Sequence, residues 1–166
     1  PVVSGNTETS SRIIDTVIGA LARVLPEKVT ASDSGTATAH IAGGVDPRTS
    51  RYYAWYLGAD PCAWGARATK DGFTCAGGPR IGGHVSQIPM EVFETRYPFF
   101  VEEFSLATDS GGPGRFRGGL SGITVIRPEG HDCEIGGAND RCVIPPYGIF
   151  GGMPGLHGEN QIIHRD

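Results

Sequence analysis

The hydrophobic pattern contains one strongly periodic segment. Between Thr7 and Leu25, the residues Ile13, Ile14, Val17, Ile18, Leu21 and Leu25 recur at the i, i+3, i+4 spacing of a helix with one apolar face. This spacing predicts a helix that buries the stripe in the core. Asn6 or Thr7 is placed to cap it, Glu8 lies near the positive end of its dipole, and Pro26 stops it. Downstream the apolar runs shorten. Tyr52 to Leu57 reads as an aromatic strand, and Met90 to Arg96 as a short helical turn closed before Pro98. Phe99 to Leu106 alternates, with Phe100, Phe104 and Leu106 on one face and Val101, Glu103 and Ser105 on the other, as in a half-buried strand. Ile123 to Ile126 is a further strand. Val29 to Gly44 is small and polar and carries little core, while Gly65 to Gly83 and Pro145 to Gly158 read as loops and turns. The predicted class is α+β, strand-rich, with one clear N-terminal helix and long glycine-rich loops. No internal repeat is visible.

Composition sharpens the loop assignment. The 166 residues include 26 Gly and 12 Pro, and the glycines fall in pairs such as Gly43-Gly44, Gly111-Gly112 and Gly118-Gly119 rather than every third residue. That excludes collagen and points to tight turns or close backbone approach. Hydrophobic residues make up 39% and charged residues 19%, with a net charge of -4 and no long run of one sign. Such a balance argues for one folded domain's worth of chain and against a nucleic-acid footprint or a basic membrane-surface helix. No apolar run approaches a membrane span. Cys62, Cys75, Cys133 and Cys142 form no CxxC pair, so a zinc site of the usual spacing is not expected. Without a visible signal peptide, the expectation is a cytoplasmic protein with reduced thiols. The start at Pro1, running almost at once into a patterned helix, reads as a piece of a longer polypeptide.

One run invites a catalytic reading. Asp109-Ser110-Gly111-Gly112-Pro113 resembles the nucleophile motif of chymotrypsin-like serine proteases. His40 lies upstream, and Asp46, Asp60 and Asp71 lie between. The context argues against it. Thr108 stands where that family has Gly, no Cys follows His40 to make the usual local bridge, and the chain is too short for two six-stranded barrels. The plainer alternative is a glycine-rich turn between two strands, in which Asp and Ser bond their own backbone.

The longer run Asp109-Ser110-Gly111-Gly112-Pro113-Gly114-Arg115-Phe116-Arg117-Gly118-Gly119-Leu120 resembles a signature of the hydantoinase B/oxoprolinase family. Further blocks match in order: Ser4 to Ser10 with Arg12-Ile13 and Asp15, then Ala31-Ser32 and Gly35-Thr36, then Trp64 to Arg67 with Asp71-Gly72. Ile88 to Glu94 with Tyr97-Pro98, and Pro145 to Gly155, complete the set. Tyr56 to Cys62 and Arg80 to Gln87 depart from the family pattern, so the substrate is not read from this segment.

The resemblance implies that residues 1–166 are the C-terminal portion of a hydantoinase B-type subunit whose N-terminal half is missing. It implies an ATP-dependent hydrolase of cyclic amides (hydantoin, 5-oxoproline or lactam). The alternatives are a subunit of a ketone (acetone or acetophenone) carboxylase, or a non-catalytic scaffold. The implied partners are a hydantoinase A-type subunit that carries ATP, the rest of the B-type subunit and a small-molecule substrate, with no nucleic acid and no membrane. In that family a divalent metal sits on His and Asp residues of the missing half. No cofactor or metal ligand is therefore assigned here: His40, His84 and His131 are left unassigned, and His84 beside Gly82-Gly83 is the first to test. No catalytic residue is assigned either. The candidates for holding an anionic substrate are Asp109, Ser110, Arg115 and Arg117, because a glycine loop with nearby guanidiniums suits a phosphate or carboxylate. The competing reading is that the arginines pair with Glu91, Glu94 or Glu102 and serve the fold.

Overall fold

A computed structural model describes residues 8–58, 62–77 and 86–164. The capping residues Asn6 and Thr7, the start of the first matched block, and His84 lie outside the described residues. Helix α1 (Ser10–Leu21) is followed by strands β1 (Ala39–Asp46) and β2 (Arg51–Leu57), helix α2 (Met90–Arg96), and strands β3 (Phe99–Leu106), β4 (Gly122–Pro128) and β5 (Cys133–Ala138). The mixed α+β, strand-rich class is as expected.

The strands form two antiparallel sheets, ordered β2-β1-β5 and β3-β4. The central strand β1 carries little apolar signal and was not predicted. Its pairing explains why: Gly43 lies opposite Ala54 and Gly44 opposite Tyr53. A Cβ at Gly43 would lie 2.5 Å from the hydroxyl of Tyr52, and one at Gly44 2.9 Å from that of Tyr53. Tyrosines of β2 thus cover the glycines of β1, and the strand's partners supply the bulk that its own sequence lacks. Strand β5, with Gly136-Gly137, was missed for the same lack of apolar alternation.

The core sits on one face of the larger sheet. Ala42, Tyr53, Trp55 and Leu57 pack there against Phe93 of α2 and Phe99 of β3. Trp55 meets Phe93 and Phe99 edge to face, with centroids 5.4 Å and 5.3 Å apart. In β3 the buried aromatic is Phe99, whereas Phe100, Phe104 and Leu106 are exposed. A β-bulge interrupts the register between Val101 and Glu103, and Phe100, ahead of it, already faces outward. Arg48 bonds Asp46 and also reaches the carbonyls of Glu94 and Arg96, tying the β1–β2 turn to the end of α2.

Helix α1 corrects the sequence reading most sharply. Its expected buried stripe faces outward: Ile13, Ile14, Val17, Leu21 and Leu25 are all exposed. The buried residues of the helix are Ser11 and Asp15. The period was right and the face was wrong, because the surface under α1 is made of polar loops.

Candidate functional site

Four irregular segments stack into a layer of backbone, and most of the matched sequence blocks lie in it. Ala31 N–H bonds Ala66 O at 2.9 Å, and Ser34 N–H bonds Ala63 O at 3.0 Å. Gly119 N–H reaches Trp64 O at 3.0 Å, Gly72 N–H reaches Arg117 O at 2.9 Å, and Leu156 N–H reaches Ser110 O at 3.0 Å. The glycines are what permit this closeness. A Cβ would stand 2.0 Å from Ala31 O at Gly65, 2.0 Å from Trp64 O at Gly72, and 1.9 Å from Phe73 O at Gly119. At Gly112 it would meet Met153 O at 2.4 Å. Blocks far apart in sequence thus become neighbours through main chain rather than side chains.

Within the layer, Asp109 to Leu120 lies in the connection between β3 and β4. Ser110 holds it closed: its hydroxyl donates to Ala107 O at 2.8 Å and accepts Ser121 N–H at 2.9 Å. Asp109 is exposed and adopts a left-handed backbone with φ 57°. The backbone N–H of Arg117 donates to Asp71 Oδ1 at 2.7 Å, and that of Leu120 to Thr74 Oγ1 at 3.0 Å. The N–H groups from Arg117 to Ser121 are therefore spent on protein acceptors. Arg115 and Arg117 are exposed, and the Arg115 guanidinium lies over the Phe116 ring at 5.5 Å. Neither forms an ion pair among the described residues. Of the glutamates named as competing partners, Glu102 binds Arg127 at 2.9 Å, and Glu94 accepts Val101 N–H at 2.8 Å.

His40 and His131 are also engaged. His40 Nε2 lies 3.0 Å from Asn160 Oδ1, so it serves no relay with Ser110. His131 Nε2 lies 2.6 Å from the Tyr53 hydroxyl, and its Nδ1 lies 3.0 Å from Glu129 O. Burial pushes the Tyr53 phenol up to about 12, with Cys133 adding to the shift, and burial raises the Cys133 thiol as well. None of the four cysteines is in a disulfide. Among the described residues no three His, Cys, Asp or Glu side chains converge to hold a metal ion, and no helix is long and apolar enough to cross a membrane.

Beneath the layer lies a charged cluster that the sequence reading missed. Asp15 Oδ2 accepts Arg141 Nη2 at 2.5 Å and the Ser32 hydroxyl at 3.2 Å. The Tyr147 hydroxyl donates to Asp15 O at 3.0 Å, and Arg141 Nη2 also reaches Ser32 Oγ at 2.8 Å. Beside them, Arg12 pairs with Asp140 at 3.4 Å, and Glu8 Oε1 accepts Ala37 N–H at 3.0 Å. Gly35 is left-handed at φ 61° and leaves room for Arg12, whose Nη2 would lie 1.8 Å from a Cβ there. Burial raises the Glu8 carboxyl, against the bond from Ala37, and lowers the Arg12 guanidinium, helped by the nearby positive charge of Arg141. The usable sequence signal was the polar face of α1, on which Ser11, Arg12 and Asp15 share one side, with Glu8 just before the helix. A polar helix face is ordinarily read as solvent-facing.

Comparison with known proteins follows this geometry. The hydantoinase B/oxoprolinase family model matches residues 1–166. The beta subunit of a caprolactamase from Pseudomonas jessenii is 32% identical over 99% of this chain and 29% of its own length. An uncharacterized protein of Methanocaldococcus jannaschii is 36% identical over 98% of this chain and 27% of its own length. The chain thus spans less than a third of these relatives. Among solved structures, an ATP-dependent caprolactamase from Pseudomonas jessenii matches with TM-score 0.56 and 34% identity, covering 66% of this chain and 19% of that one. A nucleotide-free acetone carboxylase matches with TM-score 0.68 over 83% of this chain and 18% of that one, at 23% identity, a likeness of fold.

Proposed function

This chain belongs to the hydantoinase B/oxoprolinase family, and from that membership we propose that it is the C-terminal portion of a B-type subunit in an ATP-dependent enzyme that opens a cyclic amide. The observation that carries the reading is the 32% identity to the caprolactamase beta subunit, sustained over 99% of the chain. A relationship to a yeast 5-oxoprolinase, at 28% identity, supports the same substrate class. A ring amide is stabilised by resonance. In this reading the γ-phosphoryl group of ATP passes to its oxygen with release of ADP, and one water adds to the activated ring carbon. The C–N bond breaks with the nitrogen leaving as the amine, and a second water releases phosphate from the resulting acyl phosphate. The nucleotide belongs to a hydantoinase A-type partner in this reading.

Arg115 and Arg117 are this chain's candidates for holding the phosphorylated, anionic intermediate. They lie exposed beside Ser110 and Asp109, and the N–H groups from Arg117 to Ser121 are already engaged. An anion at this loop is held in this reading by the guanidiniums of Arg115 and Arg117. No step is assigned to a metal on these residues.

The test is ATP turnover by the complete enzyme on a panel of lactam, 5-oxoproline and hydantoin. Amide-dependent release of ADP and of ring-opened product supports the reading. Its absence, with incorporation of labelled bicarbonate into a ketone instead, replaces it with carboxylation. Arg115→Ala and Arg117→Ala are each expected to lower turnover about tenfold, the equivalent of one charge-assisted hydrogen bond, with assembly intact. Unchanged kinetics would remove the arginines from the site.

A further inference from the structure

We propose that Asp71 is a positioning residue for Arg117. Its carboxylate, with the N–H of Gly72, fixes the main chain from which the Arg117 guanidinium reaches an anion. The proposal rests on the reading that Arg117 contacts the phosphorylated intermediate.

Two consecutive residues hold both main-chain polar groups of Arg117. Its N–H donates to Asp71 Oδ1 at 2.7 Å, and its carbonyl accepts Gly72 N–H at 2.9 Å. The bond to the carboxylate is charge-assisted, the shorter and stronger kind. It comes from a residue 46 positions earlier, outside the glycine connection. The connection needs such an anchor. Arg115 and Arg117 are set among Gly111, Gly112, Gly114, Gly118 and Gly119, and glycine main chain restrains itself least. A binding group displaced by about 1 Å can cost on the order of a hundredfold in rate. Arg115 lacks this anchor: among the described residues, none of the main-chain bonds that tie the connection involves it.

Asp71 is itself kept from turning away. Its carbonyl accepts Arg67 Nε at 3.2 Å and Nη2 at 2.6 Å. The Arg67 N–H closes the turn on Lys70 O at 2.9 Å, and its guanidinium lies over the Phe73 ring at 4.3 Å. Arg67 thus takes the carbonyl of Asp71 and leaves the carboxylate to the Arg117 amide. Asp71 and Arg117 are both exposed, so burial does not impose the pairing. An exposed carboxylate is well solvated by itself. Here it is used instead on the one amide that sets the root of an exposed arginine.

The test is a double-mutant cycle in the full-length polypeptide assembled with its partner subunit. ADP release on a lactam, 5-oxoproline and hydantoin is read as kcat per assembled complex. Arg117→Ala and Asp71→Ala should each lower kcat about tenfold, and the double variant should fall no further. A loss that came only from weakened folding would add to that of Arg117→Ala. Asp71→Asn keeps an oxygen acceptor and should restore kcat close to the parent value. Asp71→Glu moves the carboxylate by one methylene and should lose kcat with assembly intact; it carries the cycle if Asp71→Ala does not assemble. Additive losses, an unchanged kcat in Asp71→Ala, or equal coupling to Arg115→Ala would overturn the proposal while the functional reading stands. An unchanged kcat in Arg117→Ala sinks the anion-holding reading, and the positioning role with it. Hydrogen exchange of the peptide spanning residues 112–121 is followed on the same preparations. It should quicken in Asp71→Ala and not in Asp71→Asn, and unchanged exchange in Asp71→Ala overturns the proposal whether or not the enzyme turns over. A parent complex that turns over none of the three amides sinks the functional reading, and exchange then decides the anchoring by itself.

Discussion

Arg141 donates through Nη2 to Asp15 Oδ2 at 2.5 Å, closing a contact between residues 126 positions apart. Both side chains are about nine-tenths buried. This bond anchors the N-terminal helix to the loop that precedes the last matched block, and Ser32 joins the third segment to it.

Breaking the pair leaves a buried charge without its counter-ion. Arg141→Met and Asp15→Asn are each expected to destabilise the protein by about 3–5 kcal/mol. The double variant should lose clearly less than the sum, because the second change removes the orphaned charge left by the first. Urea unfolding of the two single variants and the double checks this. Strict additivity would mean that the contact carries no coupling.

The glycine layer makes a graded prediction. Gly65→Ala and Gly119→Ala place a Cβ about 2 Å from a backbone carbonyl oxygen and force the stack apart, at a cost of about 3 kcal/mol. Gly136→Ala in β5 meets nothing within 4 Å and should be neutral or stabilising by about 0.5 kcal/mol, since glycine weakens a strand interior. Thermal unfolding of the three variants ranks them. Equal effects would show that the layer tolerates side chains.

Tyr53 sets an alkaline limit. In the unfolded chain its phenol loses its proton near pH 10, and in the folded protein it keeps it to about 12. Its contribution to stability is thus fully present below pH 10 and is lost as pH rises to about 12, by on the order of 2–3 kcal/mol. Tyr53→Phe should flatten the stability curve in this window. Denaturant midpoints taken across the window, with near-ultraviolet tyrosinate absorbance as the titration signal, decide it.

Ser110 is expected to be unreactive. Its hydroxyl bonds Ala107 O and Ser121 N–H across the ends of the glycine connection. Ser110→Ala should cost about 1 kcal/mol of stability, and a fluorophosphonate probe should leave Ser110 unlabelled. Stable labelling at Ser110 would return the protease-like motif to consideration.

How much of this was legible in the sequence varies by element. Met90 to Arg96 and Phe99 to Leu106 were readable as a helical turn and a strand, because Pro98 and local apolar spacing act over a few residues. The ordered blocks from Ser4 to Gly155 were readable as a family pattern, and Gly65, Gly72, Gly112 and Gly119 within them sit where a Cβ would strike backbone. Strands β1 and β5 were not readable, since Gly43, Gly44, Gly136 and Gly137 have no side chains to alternate, and the bulk over Gly43 and Gly44 comes from Tyr52 and Tyr53. Nor was the Asp15, Ser32, Arg141 and Tyr147 cluster, whose members touch only after three distant segments meet.

Helix α1 marks the boundary. Periodicity determined that Ile13, Val17 and Leu21 share one side and that Ser11 and Asp15 share another. Which side turns inward was decided by what lay beneath the helix, and that surface was built from Ser32, Arg141 and Tyr147 far along the chain. Spacing reports which residues share a face, while burial is settled by the partner that the face finds.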